Sequence, residues 1–188
     1  MIEKLRNQMK TLALADAVLS PEWEYRYFSY NSNWSDTEEM ASMRDGCGNH
    51  WFLWLCGNLA GYKCLSLDDG IMSDIQGAKN RVPVQYKGFL DEPAFTMDEA
   101  TCIWHLKESQ WVKQGLRVQH LIDLEQISEW TAGQYHSWAT EYYETDIDIT
   151  GVQKLFEKQF SKELARQLNP EVDLLQLKSE MAEIGINA

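Results

Sequence analysis

His50-Trp51-Phe52-Leu53-Trp54-Leu55-Cys56-Gly57-Asn58-Leu59-Ala60-Gly61-Tyr62-Lys63-Cys64-Leu65-Ser66-Leu67 decides how the rest of the chain is read. Two runs rich in aromatic and aliphatic residues, each of strand length, flank a loop with glycine at both ends. That is the pattern of a β-hairpin. Trp51 and Trp54 fall on opposite parities of the first run; an aromatic-lined pocket is one reading of so many large rings, and filling the core is their ordinary use. Working outward, Met40-Ala41-Ser42-Met43-Arg44 reads as the preceding strand. It is closed by Asp45-Gly46-Cys47-Gly48-Asn49, a run of turn formers. An antiparallel meander follows.

Further toward the N-terminus, Glu22-Trp23-Glu24-Tyr25-Arg26-Tyr27 alternates large rings with charges, which predicts a strand with one buried face. Before it, Ile2, Leu5, Met9 and Leu12 recur at three and four residues, predicting a helix over 2–18 that ends at Ser20-Pro21. On the other side, 68–80 is polar and reads as loop. Val82-Pro83 can open a short helix carrying Tyr86, Phe89 and Leu90 inward. Thr101 to Leu106 and Gln110 to Lys113 make a last hairpin around Lys107-Glu108-Ser109.

From about residue 116 the period becomes helical. Thr131-Ala132-Gly133-Gln134 fits a capping box, and Thr150-Gly151-Val152-Gln153 repeats it. Val152, Leu155, Phe156, Phe160, Leu164 and Leu168 form one apolar stripe, after which Asn169-Pro170 starts a final helix. The expected fold is therefore α+β: an antiparallel sheet of about six strands, with an N-terminal helix and a helical C-terminal third. The chain is read as one domain over 1–188, mainly sheet over 1–115 and mainly helical over 116–188. The last helices are candidates for a homo-oligomer contact.

The 17 basic and 29 acidic residues give a formal charge of −12. Nucleic-acid binding draws on Lys and Arg that neutralise phosphates, so this balance argues against DNA, RNA or an anionic membrane as partner and favours a basic protein. No signal peptide or spanning stretch is read in the chain, and a cytoplasmic location is expected. Residues 116–150 hold one arginine, Arg117, against seven carboxylates, a net of −6 and half of the total. Glu141, Glu144 and Asp146 lie there beside Trp138, Tyr142 and Tyr143, a mixture in which rings anchor and charges steer.

No phosphate-binding glycine motif, zinc-protease motif, nucleophile elbow or EF-hand loop is present. The reading therefore leans away from an enzyme and assigns no cofactor and no metal. Three local constellations carry alternatives. Arg44 and Asp45, with His50, border the glycine-rich turn, where Arg44 could offer its fork to a carboxylate or phosphate. Cys47 could act as a thiol nucleophile with His50 as base. His50 and His105, joined by Cys47, could hold zinc. Otherwise the four cysteines, Cys47, Cys56, Cys64 and Cys102, read as small thiols.

Met40-Ala41-Ser42-Met43-Arg44-Asp45-Gly46, Glu92-Pro93-Ala94-Phe95 and Tyr135-His136-Ser137-Trp138-Ala139-Thr140-Glu141-Tyr142-Tyr143-Glu144 resemble a family of bacterial proteins without assigned function. The order of elements is also faintly similar to the SUKH superfamily, many of whose α+β members neutralise secreted toxins. The chain lacks that pattern's early Leu-Pro, short helix and Gly-Gly turn, so no functional residue carries over. The charge of −12, its concentration in residues 116–150 and the lack of catalytic motifs lead to the expectation of a non-catalytic binding protein, with toxin immunity as its sharpest form.

Overall fold

A computed structural model describes residues 1–186. The architecture is α+β. Its six strands, β1 (Phe28–Asn31), β2 (Glu38–Arg44), β3 (His50–Cys56), β4 (Leu59–Leu65), β5 (Cys102–Lys107) and β6 (Gln110–Gly115), stand in chain order in an antiparallel sheet. The helices are α1 (Ile2–Leu19), α2 (Ile75–Arg81), α3 (Lys87–Asp91), α4 (Leu124–Ser128), α5 (Ala132–Tyr142), α6 (Ile149–Phe156), α7 (Lys162–Leu168) and α8 (Leu174–Ile184). Contacts divide the chain into two compact units. One holds Met1–Ile2 and Ser32–Asp123; the other holds Glu3–Asn31 and the chain from Leu124 onward.

The first unit contains β2 to β6 with α2 and α3. Its central hairpin is tighter than the sequence predicts: Cys56 stands opposite Leu59, so the turn is only Gly57-Asn58 and β4 starts three residues early. Gly61 lies inside β4 opposite Trp54, where a Cβ would fall 2.6 Å from the Phe89 ring. The pleat puts Met40, Phe52, Trp54 and Ile103 on one face. Ala78, Tyr86, Phe89 and Phe95, from α2, α3 and the 3₁₀ turns beside α3, pack there, and most of these side chains lie fully out of solvent. Phe52 stacks on Phe95 with ring centroids 4.9 Å apart. The opposite face presents Met43, Trp51, Leu53, Tyr62 and Cys64, all buried, so β3 is buried on both faces. Cys64 and Cys102 face each other across β4 and β5 as free thiols.

The span 68–80 is not all loop. Asp74 accepts from the Gly77 N–H at 2.9 Å and caps α2, whose only fully buried residue is Ala78, too short an apolar signal to show in the sequence. The final hairpin turns through Glu108 and Ser109, both in the left-handed region.

The second unit combines α1, β1 and α4 to α8. The predicted strand over 22–27 is instead a 3₁₀ turn, Trp23–Tyr25, and the strand begins at Phe28. The ring-charge alternation misleads because Arg26 turns inward as well as Tyr27. Its guanidinium donates to the Ser20 and Pro21 carbonyls and pairs with Glu180 at 2.6 Å, while Trp23 and Tyr25 stay exposed. Asp16 is wholly buried and accepts from the Tyr135 hydroxyl at 2.6 Å and the Phe28 N–H at 2.7 Å.

Helices start at Leu124 rather than 116, and five follow the sheet where three are expected. The capping box at Thr131 and Gln134 is formed on both sides. The second expected box is not; Asp148 caps α6, with Thr150 inside its first turn. The stripe from Val152 to Leu168 is two helices, because Lys158 adopts φ +60° and Ser161 starts α7 afresh. Asn169 closes α7 and donates to the Val18 carbonyl, leaving Asp173 to cap α8. α8 packs on β1, and Gln176 reaches the Pro21 carbonyl at 2.7 Å, so the C-terminal helices are anchored within their own unit.

Candidate functional site

The sequence marked two regions, and each is drawn together within one unit. In the first unit, Arg44 ends β2 and His50 begins β3. The register sets them directly opposite each other, so they share a sheet face. Asp45 does not join them. Its carboxylate accepts from the Cys47 N–H at 2.8 Å, the Asn49 N–H at 3.1 Å and the Asn49 amide at 2.6 Å. All of this holds the turn, in which Gly46 and Gly48 sit at φ +74° and +102°.

His50 has its Nδ1 3.1 Å from the Gly48 carbonyl oxygen. Only an N–H can serve that contact, so Nε2 carries the lone pair and accepts from the Lys63 ammonium at 2.8 Å. Both ring nitrogens are thereby engaged away from Cys47, which tells against the alternative of a thiol–imidazole pair and leaves Cys47 a free thiol. The proposed zinc set fails for the same reason. His105 packs its ring 5.3 Å from Tyr86, and among the described residues no three His, Cys, Asp or Glu side chains converge as a metal requires.

Lys63 is the residue that the sequence analysis missed. It lies on the helix-covered face of β4, opposite Phe52, with no exposed surface. Its Nζ donates to His50 and, at 3.3 Å, to the Thr96 hydroxyl, and its charge lies 6.0 Å from the Phe52 ring. No carboxylate pairs with it among the described residues. Burial pulls its pKa down to about 8, and burial together with the Lys63 charge lowers that of His50. Thr96 closes the 3₁₀ turn Pro93–Phe95 at φ 44°, a left-handed conformation that a β-branched residue adopts only under constraint. The signal available in the sequence was a lysine inside the apolar run Tyr62 to Leu65.

The second region lies in the other unit. Glu141 is on α5, Glu144 and Asp146 are in the connection to α6, and all three are exposed. Two other carboxylates of the acidic segment serve the fold: Glu129 pairs with Lys4 at 2.5 Å, and Asp148 caps α6. Trp138, Tyr142 and Tyr143 belong to a ring cluster with Tyr27 and Phe28. Tyr27 lies 4.7 Å from Trp138 and 4.9 Å from Tyr142. The rings left in solvent are Trp23, 49% exposed, and Tyr25, 61% exposed. Glu22 and Glu24 flank them, and the Glu24 charge raises the Tyr25 pKa. Only Arg26 separates Tyr25 from Tyr27, so these exposed rings sit beside the cluster that carries α5 and its acidic end. Glu22, Glu24, Glu141, Glu144 and Asp146 form no ion pair among the described residues.

A cavity of about 370 Å³ in the same unit is lined by Lys10, Leu14, Leu155, Lys158 and Ile186. Lys158 follows the C-terminal end of α6 and donates to Asn7 at 3.1 Å, a position in which a lysine offsets the negative end of a helix.

No helix among the described residues is long and apolar enough to cross a membrane. Comparison with protein-family models, with curated proteins and with solved structures gave no match.

Proposed function

We propose that the chain is a non-catalytic binding protein whose second unit takes a basic polypeptide on an acidic surface anchored by Trp23 and Tyr25. The observation that carries this reading is the exposure of two large rings, Trp23 and Tyr25, interleaved with Glu22 and Glu24 and next in the chain to the cluster supporting Glu141, Glu144 and Asp146. Protein interfaces draw most of their energy from a few aromatic anchors, and like-signed charge around them steers an oppositely charged partner. Neutralisation of a basic toxin is the sharpest form of this function.

The test begins with capture of partners from the native host by the wild-type protein, by Glu141→Lys/Glu144→Lys/Asp146→Lys and by Trp23→Ala/Tyr25→Ala. Affinity for the retained protein is then measured. Charge reversal should cost at least about tenfold, mostly in association rate, and wild-type binding should weaken steadily with salt. Loss of both rings should cost roughly 10- to 100-fold, the range of one or two anchors. A partner held equally by all three proteins and indifferent to salt would reject the reading.

A further inference from the structure

We propose that Arg44, Lys63 and Thr96 form a binding site for a phosphate group, free or carried by a small molecule, with His50 as the positioning residue. The argument starts from Lys63. An ammonium without exposed surface normally has a carboxylate beside it, because an unpaired buried charge is costly. Here both hydrogen-bond partners are neutral, a ring nitrogen and a hydroxyl, and of three N–H donors two are used. The site therefore holds a positive charge that the fold leaves uncompensated.

Its neighbours add to that charge. Arg44 stands directly across from His50 on the same sheet face, and its charge acts on the imidazole as that of Lys63 does. Glu99 acts electrostatically on both Lys63 and His50, but it is exposed and makes no ion pair with Lys63. A doubly charged oxyanion matches the guanidinium fork and the ammonium better than a single carboxylate does. Thr96 accepts from Lys63 and so keeps its own O–H to donate. His50 has no donor left for a ligand; it aims the lysine by accepting from it, and the Gly48 carbonyl fixes its tautomer. Arg44 and His50 are half-exposed and Thr96 is exposed, so a ligand approaches there and meets the Lys63 charge through the Thr96 hydroxyl, behind which the ammonium lies at 3.3 Å. Phe52 and Phe95 close the apolar side.

The effect is read as a shift in thermal midpoint at constant ionic strength with inorganic phosphate, a phosphomonoester such as glycerol phosphate, acetate or chloride. A ligand that binds only the native state raises the midpoint with concentration. Phosphate and the monoester should do so, and acetate and chloride should not. A larger effect of the monoester would identify a phosphorylated small molecule, and an equal effect the free ion. Lys63→Met keeps the volume and removes the charge. It should lose the phosphate response and, without anion, melt no lower than the wild type, because a buried unpaired charge has been replaced by an apolar chain. Arg44→Gln should weaken the apparent affinity at least about tenfold. Lysine-labelled NMR of the wild type supplies a measurement free of any variant: the Lys63 titration should move upward on adding phosphate. An unchanged Lys63 titration, a phosphate response retained by Lys63→Met, or a marked drop in that variant's stability would overturn the proposal.

Discussion

Replacing Asp16 by Asn should flatten part of the pH dependence of stability in the second unit. Asp16 is wholly buried, and burial pushes its pKa from the ordinary 3.8 up to about 6, against the opposing pull of Tyr135, the Phe28 N–H, Tyr143 and Arg26. Because the folded value is the higher one, the native state binds more protons than the unfolded chain between these limits, and stability falls as pH rises through them. Below about 4 both states are protonated and the cost vanishes; above about 6 it is present in full. The separation corresponds to roughly 3 kcal/mol at 1.36 kcal/mol per tenfold change in proton affinity. Asn presents a carbonyl to the Tyr135 hydroxyl and cannot ionise. Urea unfolding followed by circular dichroism, from pH about 4 to about 7, should therefore show the variant gaining on the wild type by roughly 3 kcal/mol as pH increases. Other titrating groups are common to both proteins and cancel in the difference. A difference that stays constant over that range would show that the tyrosine and backbone donors fully offset burial.

Three further substitutions test the packing. Glu180→Gln leaves the Arg26 guanidinium buried without its counter-charge, and chemical denaturation should register a loss of roughly 3 kcal/mol. Gly61→Ala drives a methyl to 2.6 Å from the Phe89 ring, so the thermal midpoint should fall by the equivalent of roughly 1–3 kcal/mol; an unchanged midpoint would mean that α3 moves aside freely. Thr131→Ala removes half of the capping box on α5 and should cost about 1 kcal/mol in the same denaturation assay.

The parts of the fold that were legible in the sequence are those whose signal is local. β3 was readable to the residue because the apolar run from Trp51 to Cys56 ends at a Gly-Asn turn, and the Thr131 cap because its partner is three residues away. The rest was decided at a distance. Trp23 to Tyr27 has the two-residue period of a strand, but Glu180, 154 residues from Arg26, pairs with that arginine in the interior, and Trp23 and Tyr25 stay outside. The stripe from Val152 to Leu168 gave the correct buried face, yet nothing in it announced the left-handed Lys158 that divides it. In the site, Arg44 and His50 were visible because they border one turn. Lys63 was not, since His50 lies 13 residues away and Thr96 33.

Two buried charges of opposite sign show why one is structure and the other a site. Asp16 is surrounded by donors from α1's own surroundings: Tyr135 and Tyr143 in and beside α5, the Phe28 amide, and the nearby Arg26 charge. Each favours the carboxylate without fully offsetting its burial, and together they join α1, β1 and α5 into one unit, so every one of these partners comes from the fold itself. Lys63 sits in the opposite circumstance. Its partners, His50 and Thr96, can accept one hydrogen bond each but bring no negative charge, and His50 is held in the accepting tautomer by Gly48. If stability were all that this position served, an apolar residue on β4 opposite Phe52 would serve it better. A lysine kept there, beside an arginine and a threonine in a constrained conformation, is accounted for by an anion that completes the charge from outside the chain.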